Sequence, residues 1–374
     1  MASVSLDSVY FNLCFMKEHK FPYKWTLKDA VFTKDKGKVF SCFACGGGST
    51  MGYKLAGFDV LGCNEIDPKM IEAYKVNHNP KYAFLEPIQT FKLRKDLPKE
   101  LYDLDILDGS PPCSSFSMAG NREKDWGKDK VFREGQAMQV LDTLFFDFID
   151  LAKELQPKVV VAENVKGLLL GDAKSYVIEI YKQFDLAGYY CQHFLLNSNV
   201  MGVPQKRERV FFICLRKDLA NEFLQQKDMF TVMPKINMVF NEYKIFFGLI
   251  KQVGFKGEDV EMTEHKLSIW NKRKPGDLDF SCTNGRENNK PNSMFNNNYI
   301  YDHKVVNTIT SKKNDVLFSE PRHLSYQENC CVGTYPLDYN FLNMPYRYLI
   351  GMSVPPVMTA QIASRIYEQW LSKL

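Results

Sequence analysis

The stretch VFSCFACGGGSTMGYKLAGF, residues 39–58, decides the fold, because it places an apolar strand, a glycine cluster and an amphipathic helix in direct succession. Gly46, Gly47 and Gly48 allow the backbone to turn tightly and to approach a ligand closely. The first turn of the following helix has N–H groups without helical partners, and these can bind that ligand. This strand, turn and helix predict the first unit of an α/β fold.

The chain downstream repeats this alternation of strands and helices. Short apolar runs, VFSCFA, FDVLGCNE, YAFLEP, DLDILDGS and PKVVVAENV, alternate with helical patterns and predict a mostly parallel sheet. Apolar residues recur at spacings of three and four over residues 138–155, which predicts a long helix on one side of that sheet. Near the end, Ile362, Ile366 and Trp370 share one helix face, which indicates a helix that docks back onto the first domain.

Composition divides the chain into four parts. Residues 1–37 form an N-terminal extension, and residues 38–218 form the α/β domain. Residues 219–345 lose the strand–helix alternation and gain Asn, Lys and Gly, which predicts a smaller, irregular domain. Residues 346–374 form the C-terminal helical segment that returns to the α/β domain.

Bulk composition is that of an ordinary soluble protein. The 374 residues are 45% hydrophobic and 25% charged, and the net charge of +4 permits a polyanionic partner. Ten irregularly spaced cysteines predict reduced, intracellular thiols. We expect no signal peptide, and the apolar segment LDTLFFDFIDLA carries three aspartates and cannot cross a membrane. A cytoplasmic protein is therefore expected.

An acidic residue follows the glycine cluster at the spacing typical of nucleotide sites. Glu65 ends the second strand, about 20 residues after the cluster, where a carboxylate can bind both hydroxyls of a ribose. The sequence has neither the P-loop GKS or GKT nor G-x-G-x-x-G, so it favours an adenosine cofactor without a pyrophosphate. The alternative is a plain glycine turn with a solvated glutamate. Cys42 and Cys45 lack a second pair or a nearby histidine, so no metal site is predicted.

The motif PPC is a candidate for the nucleophile. Cys113 follows Pro111 and Pro112 just past a predicted strand, at the edge where open α/β sheets bind ligands. A thiolate attacks far better than a thiol, and the prolines stiffen the turn that carries it. Taken alone, the motif also fits a buried cysteine in a structural turn.

Two further motifs lead to the same edge. Glu163 and Asn164 end the next long strand, where the carboxyl group can donate or hold a proton. Gln205, Arg207 and Arg209 alternate along the approach to another strand, so their side chains can share a face. A capping glutamate and a solvated edge strand are the structural alternatives.

In this order the motifs resemble those of the cytosine-C5 DNA methyltransferases of bacterial and phage modification systems. The resemblance covers residues 38–214 well and 351–374 fairly. The residues that carry it are Phe43 with the glycine cluster, Ala56-Gly57-Phe58, Glu65, Pro111-Pro112-Cys113 with Phe116-Ser117, Glu163-Asn164-Val165, Gln205-x-Arg207-x-Arg209 and Gly351-x-Ser353-Val354.

The resemblance implies a Rossmann-like S-adenosylmethionine-dependent sheet with a target-recognition domain at 219–345. Cys113 would add to C6 of a flipped cytosine, while Glu163 would bind the base and protonate N3. Arg207 and Arg209 would hold the base oxygen and neighbouring phosphates, with Asn164 and Gln205 in supporting positions. The residues implied to contact S-adenosylmethionine are Phe43, Ala44, Cys45, Gly46, Gly47, Gly48, Glu65, Ile66, Glu86, Pro112 and Ser353.

The resemblance also implies the partners. A monomer acting on double-stranded DNA in association with the nucleoid is expected, without a metal, and a separately encoded restriction endonuclease is left open. Basic residues at 272–274 and 312–313 would contact phosphates, and residues 305–318 would form part of the recognition surface.

The sequence departs from the family pattern at four places. Cys45 stands where the family has glycine, Ser114 where it has glutamine and Met352 where it has asparagine, and Glu86 stands near the usual aspartate of the third strand. The alternatives are a tRNA cytosine-C5 methyltransferase, a non-catalytic DNA-binding homologue and a nucleotide-dependent oxidoreductase. The region between the arginines and the last helix favours DNA over tRNA.

Overall fold

The structure is a computed structural model that describes residues 18–112, 143–171, 173–228, 231–288, 297–311 and 315–374, with the backbone of two short strands between 113 and 142. Its strands are β1 Lys38–Cys42, β2 Asp59–Glu65, β3 Tyr82–Leu85, β4 Ile106–Gly109, β5 Asp129–Lys130, β6 Gln139–Val140, β7 Val159–Val165, β8 Tyr189–Asn197, β9 Gln205–Lys206, β10 Glu208–Arg216, β11 Leu224–Gln226, β12 Val232–Pro234, β13 Tyr299–Ile300, β14 Val306–Asn307 and β15 Val316–Leu317. Its α-helices are α1 Gly48–Leu55, α2 Pro68–His78, α3 Ile88–Phe91, α4 Leu144–Leu155, α5 Ala173–Leu186, α6 Glu264–Trp270, α7 Phe280–Asn288, α8 Tyr326–Gly333, α9 Tyr346–Met352 and α10 Pro356–Gln369.

Seven strands form the central sheet, in the order β3-β2-β1-β4-β7-β10-β8. The first five are parallel to their neighbours, whereas β10 is antiparallel to both β7 and β8. The predicted α/β architecture is therefore confirmed. Because the chain order reverses between β1 and β4, their carboxyl ends flank the crevice in which such sheets bind ligands.

Apolar layers cover both faces of this sheet. On one face, α4 packs Phe145, Phe148 and Leu151 against strand residues such as Leu107 and Val160. On the other face, Ile362, Ile366 and Trp370 pack with residues of α1 and of the sheet. The α4 helix begins only at Leu144, and Gln139–Val140 is a strand, so the predicted helix over 138–155 was too long at its start.

The contact between α1 and α10 is very close. A Cβ atom at Gly52 would lie 2.4 Å from the carbonyl oxygen of Pro356 and 2.5 Å from Cβ of Thr359. Glycine is therefore required for the C-terminal helix to reach the helix that follows the glycine turn. This contact holds residues 353–354 beside the turn, where a Cβ at Gly48 would also collide.

The irregular region has its own core but is anchored at both ends. Phe247, Ile300, Ile309 and Leu317 belong to an apolar cluster separate from the sheet, and Trp270 belongs to another. By contrast, residues 223–240 pack with α10, and residues 330–350 pack with α1, α2 and the segment around Trp25. These two clusters thus take their residues from about 247 to 332, inside the predicted boundaries of 219 and 345.

Residues 18–37, which belong to the predicted N-terminal extension, contribute to this packing. Trp25 is buried and donates its indole N–H to the carbonyl oxygen of Thr334 at 2.9 Å. In the part of the chain that the structure describes, no helix is both long and apolar enough to cross a membrane.

Candidate active site

The glycine turn is held by the carboxylate of Glu65. The Cys45 backbone N–H donates to Oε2 of Glu65 at 2.7 Å, and the N–H groups of Ile66 and Asp67 donate to Oε1 at 2.9 Å. Burial raises the pKa of Glu65, while these three N–H groups lower it. A carboxylate has about four acceptor positions, so Glu65 keeps capacity for one more donor, such as a ribose hydroxyl.

The turn itself uses left-handed backbone conformations. Phe43, Cys45 and Gly47 have φ angles of 53°, 49° and 84°. Gly47 adopts this region without strain, whereas a residue with a side chain pays for it. Cys45, at a family glycine position, thus keeps the positive φ that its position requires and adds a partly buried side chain.

Residues far away in the sequence cover this turn. The Gly46 carbonyl oxygen accepts from the Tyr339 hydroxyl at 2.6 Å and from Nε2 of His78 at 3.1 Å. Burial, helped by Lys54, lowers the pKa of His78 to about 3, so the neutral imidazole donates this bond at pH 7. Neither side chain was predicted as part of the site.

Ser353 also packs over the glycine turn. Its Oγ accepts from the Tyr335 hydroxyl at 2.5 Å and donates to the Leu349 carbonyl oxygen at 2.9 Å. A Cβ at Gly48 would lie 2.8 Å from Cβ of Ser353, so the last motif directly borders the glycine turn.

Glu86 directly follows β3 and is already paired. Its carboxylate accepts from Arg94 at 2.8 Å and from the Thr90 hydroxyl at 3.2 Å. Its carbonyl oxygen accepts from the Asn64 side chain at 2.8 Å. These contacts fix the position of the loop after β3, and a contact of Glu86 with a cofactor stays a prediction.

Asp108 is a buried carboxylate at this edge that the sequence analysis did not identify. It lies in β4 opposite Ser41 of β1 and accepts from the hydroxyls of Ser41 and Ser49 at 2.7 Å and of Tyr53 at 3.1 Å. Burial raises its pKa to about 6, against the effect of the three hydroxyls, and the negative charge of Glu163 adds to the rise. A carboxylate inside the apolar run ILDG was the signal that could have found it, because buried charges need partners.

Glu163 and Arg209 form an ion pair between β7 and β10. The Arg209 Nε atom lies 2.8 Å from Oε1 of Glu163, and both side chains are mostly buried. In the antiparallel pairing, Glu163 faces Phe211 and Arg209 faces Val165, so the two side chains come from positions two residues apart. The sequence analysis placed both residues in the site but did not predict this pair.

Asn164 joins β7 to the end of the β4 loop. Its Nδ2 donates to the carbonyl oxygen of Pro111 at 3.2 Å, and its Oδ1 accepts from the Val165 N–H at 2.8 Å. Pro112 is the last described residue before the gap and is half-buried. Cys113, Ser114, Phe116 and Ser117 lie outside the described residues.

Arg207 lies inside the protein, unlike Arg209. It is 1% exposed and donates to the carbonyl oxygens of Ile309 at 3.1 Å and Gly351 at 3.0 Å. Its Nε has no hydrogen-bond partner in the described part of the chain. The Arg207 guanidinium thus joins β9 to residues 306–310 and to the C-terminal segment. In this position it has almost no exposed surface with which to contact the expected base or phosphate.

Gln205 belongs to the same junction. Its Nε2 donates to the Val332 carbonyl oxygen at 2.9 Å, and its Oε1 accepts from the Ile309 N–H at 3.3 Å. β9 also pairs in parallel with β14, which lies within the predicted recognition segment 305–318. Part of that segment is therefore structural.

The basic residues predicted to bind DNA are partly structural as well. Arg273 stacks on Trp270, with its guanidinium carbon 3.1 Å from the ring centroid, and donates to the Phe318 carbonyl oxygen at 2.7 Å. Lys312 and Lys313 lie outside the described residues. Phosphate contacts of these loops remain predictions.

The irregular region also contains an ion cluster that the sequence analysis missed. Arg322 pairs with both carboxylate oxygens of Glu328, at 2.8 and 2.9 Å, and with Glu320 at 2.7 Å. Glu328 also closes a capping box with Ser325 at the start of α8. The S-x-x-E spacing was a readable signal for this helix start.

Comparison with known proteins decides the family. The chain matches the family described as C-5 cytosine-specific DNA methylase over residues 37–368. The chain belongs to this family. It is 37% identical over 183 residues to the Type II methyltransferase M.FnuDI of Fusobacterium nucleatum and 35% identical over 206 residues to M.NgoPII of Neisseria gonorrhoeae.

The matches cover 49% and 53% of this chain, and the chain spans about half the length of these relatives, 48% and 56%. Among solved structures, a mutant of DNMT2 from Spodoptera frugiperda aligns with a TM-score of 0.58 at 17% identity, over 88% of this chain and 99% of that one. That likeness concerns the fold, and it confirms the predicted methyltransferase type of α/β sheet.

Proposed function

We propose that this methylase transfers the methyl group of S-adenosylmethionine to C5 of a cytosine in duplex DNA, with Cys113 as the nucleophile. The observation that carries the proposal is the Glu163–Arg209 pair of 2.8 Å at the sheet edge. Next to it, Asn164 binds the carbonyl oxygen of Pro111, two residues before Cys113. An acid, its orienting arginine and the anchored proline turn are thus brought together.

The residues around the glycine turn fit the methyl donor. Glu65 would bind the ribose, and the backbone from Phe43 to Gly48 would line the adenosine and methionine portions. Side chains at Gly46 and Gly48 would collide with Leu349, Tyr339 and Ser353, so bare backbone is needed here. When bound, S-adenosylmethionine supplies an electrophilic methyl group.

The chain's own residues would activate the base. The Cys113 thiolate adds to C6 of cytosine, and the C5–C6 double-bond electrons move towards N3, where Glu163 supplies a proton. C5 then becomes nucleophilic. After methylation, a base removes the C5 proton, the Cys113–C6 bond breaks and the N3 proton returns to Glu163, which restores the aromatic ring, the free thiolate and the acid.

Arg209 would keep the Glu163 carboxyl group directed towards the base. A charge-assisted hydrogen bond fixes orientation better than a neutral one. Arg207 would act as a positioning residue, because its guanidinium holds the segment around Ile309 against the strand that carries Arg209. This role replaces the direct base contact expected from the sequence.

The substrate would be a base rotated out of the duplex. Attack on C6 and methylation at C5 need both faces of the ring, and these faces are stacked inside DNA. Residues 219–345 would supply target recognition, with the part whose apolar clusters are separate from the sheet reaching the DNA. The net charge of +4 permits this polyanionic partner.

One assay tests the proposal. The protein is incubated with tritiated S-adenosylmethionine and mixed-sequence duplex DNA, in parallel with tRNA, and beside a Cys113→Ser variant. We expect label in duplex DNA and none with the variant. Label in tRNA alone would support the tRNA alternative, and no label in either would support a non-catalytic DNA-binding protein.

A second measurement tests the covalent step. With S-adenosylmethionine present, duplex DNA in which 5-fluorocytosine replaces cytosine has no proton to lose from C5 after methylation, so the wild-type protein should remain bound through Cys113. A complex that survives denaturation is expected for wild type and is absent for Cys113→Ser. A variant that traps DNA equally well would contradict the role of Cys113.

A further inference from the structure

The carboxylate of Asp108 lies on β4, beside the point between β1 and β4 where the strand order reverses. It lies in β4 opposite Ser41 of β1, and these two strands flank the crevice. The side chain is 4% exposed, and its described partners are three neutral hydroxyls, those of Ser41, Ser49 and Tyr53. The site therefore contains a buried carboxylate whose described partners include no cation.

The other two carboxylates at this edge are compensated differently. Glu163 has the guanidinium of Arg209 as its counter-ion. Glu65 accepts three backbone N–H bonds, which direct its oxygens towards the turn. Asp108 has hydrogen bonds that hold its position, but they leave its negative charge uncancelled in the crevice.

The three hydroxyls come from two elements, β1 and α1, on either side of the glycine turn. Ser41 belongs to β1, whereas Ser49 and Tyr53 lie one turn apart on α1, the helix after the glycine turn. Because hydroxyl groups donate without adding charge, they keep Asp108 in place and preserve its potential. This arrangement leaves the negative charge of Asp108 to be compensated by a cationic ligand when one binds.

We propose that Asp108 makes the crevice select the cationic methyl donor over its neutral demethylated product. This inference rests on the proposed function. S-adenosylmethionine carries a positive sulfonium, and methyl transfer converts it to the uncharged thioether of S-adenosylhomocysteine. The two ligands share the adenosine and the amino acid, so an isolated negative charge favours the donor and helps to release the product.

Protonation of Asp108 would remove this preference. The groups that face it are Ser41, Ser49 and Tyr53, with Cys42, Tyr74 and Glu163 close enough to interact electrostatically. Burial raises the pKa values of Cys42, Tyr53 and Tyr74, so these groups stay neutral. The pKa of Asp108 is raised to about 6, so selectivity should be present at pH 8 and lost towards pH 5.

Calorimetric titration of the full chain with each ligand tests the proposal. For Asp108→Asn, we expect the Kd of S-adenosylmethionine to rise on the order of tenfold, because one opposite charge is lost. The Kd of S-adenosylhomocysteine should stay nearly unchanged. Glu65→Gln is the matched control, because its ribose contact is common to both ligands and both Kd values should rise together.

The pH dependence adds an independent readout. The ratio of the two Kd values should fall towards one between pH 8 and pH 5 for wild type and stay flat for Asp108→Asn. Ionisation of the ligands' shared amino and carboxyl groups cancels in this ratio. Ser49→Ala keeps the carboxylate but removes one hydroxyl that lowers its pKa, so the midpoint of the change in the Kd ratio should move to higher pH. This variant provides the test if Asp108→Asn does not fold.

Equal loss of both ligands in Asp108→Asn would overturn the inference and leave the proposed function intact. A variant that keeps the wild-type pH dependence would also overturn it, because a group other than Asp108 would then be titrating. If Asp108→Asn does not fold, an unchanged midpoint in Ser49→Ala has the same meaning. Failure of the wild-type protein to bind either ligand would contradict the proposed function itself.

Discussion

Two carboxylates on strands that pair with each other, Asp108 on β4 and Glu163 on β7, differ in how the protein compensates their charge. Glu163 is paired with Arg209, whereas Asp108 is held by three neutral hydroxyls. A buried acid with a cationic partner is oriented by a charge-assisted hydrogen bond. An acid with neutral partners stays in place, but its charge is costly and remains available to a ligand.

This difference suits two separate tasks at one sheet edge. The Glu163 pair can direct a carboxyl group to a base, while Asp108 can set the potential of the crevice. Substitutions that remove one carboxylate at a time should therefore affect different steps.

The largest effect is expected for Glu163→Gln. Glutamine keeps the shape of the side chain but cannot supply a proton, and general acid catalysis contributes about 10²–10⁴-fold to rate. We expect kcat for DNA methylation to fall about a thousandfold. The Kd of S-adenosylmethionine, measured by calorimetry, should remain close to that of wild type.

A rate within about tenfold of wild type, outside the range of general acid catalysis, would contradict the role of Glu163 as the acid. An equal loss of cofactor affinity would instead indicate a structural role.

The second effect concerns the contribution of Asp108 to the pH dependence of the protein's stability. Its pKa is raised from 3.8 to about 6 in the folded protein, so its stabilising contribution is present below about pH 4 and is lost as pH rises through 6. This shift corresponds to about 3 kcal/mol of unfolding free energy. Asparagine does not ionise, so Asp108→Asn should not lose stability in this way. Its unfolding free energy relative to that of wild type should therefore rise by about 3 kcal/mol from pH 4 to pH 8.

Urea unfolding of both proteins at the two pH values measures this difference. A stability difference that does not change with pH would show that Asp108 keeps an ordinary pKa.

The contrast between the two carboxylates also marks what the sequence could predict. The sequence could predict an edge position for Glu163 and Asn164, because alternating apolar runs indicate a parallel sheet and parallel strands end on one side. Asp108 was missed, because its partners lie 67, 59 and 55 positions away and meet it only through strand pairing and the packing of α1.

The arginines show the same limit. Alternation placed Arg207 and Arg209 near each other, but it could not predict that Arg207 is buried. That burial depends on the carbonyl groups of Ile309 and Gly351, which arrive from 102 and 144 positions away. Tyr339 and His78 on the Gly46 carbonyl were missed for the same reason.

The third effect tests the other half of the pair. Arg209→Lys keeps the positive charge but loses the Nε donor that lies 2.8 Å from Glu163. Hydrogen bonds to charged groups contribute roughly 1.5–3 kcal/mol, and lysine retains part of that. We expect kcat to fall about tenfold, since 1.36 kcal/mol corresponds to a factor of ten.

The control is the double variant Arg209→Lys with Glu163→Gln. If Arg209 acts through Glu163, the second substitution should add little to the loss already caused by Glu163→Gln. Fully additive losses would mean that Arg209 contacts the substrate independently.

The smallest effect is expected for Tyr53→Phe, which removes the 3.1 Å hydrogen bond to Asp108. Tyr53 is fully buried, and phenylalanine keeps its packing with Phe58. A bond to a charged acceptor is worth more than one to a neutral acceptor, so the variant should lose about 1 kcal/mol at pH 8 and less at pH 5. Urea unfolding at both pH values measures this. An equal loss at both would mean that the strength of this bond does not depend on the charge of Asp108, and the contrast between Asp108 and Glu163 would then rest on Ser41 and Ser49.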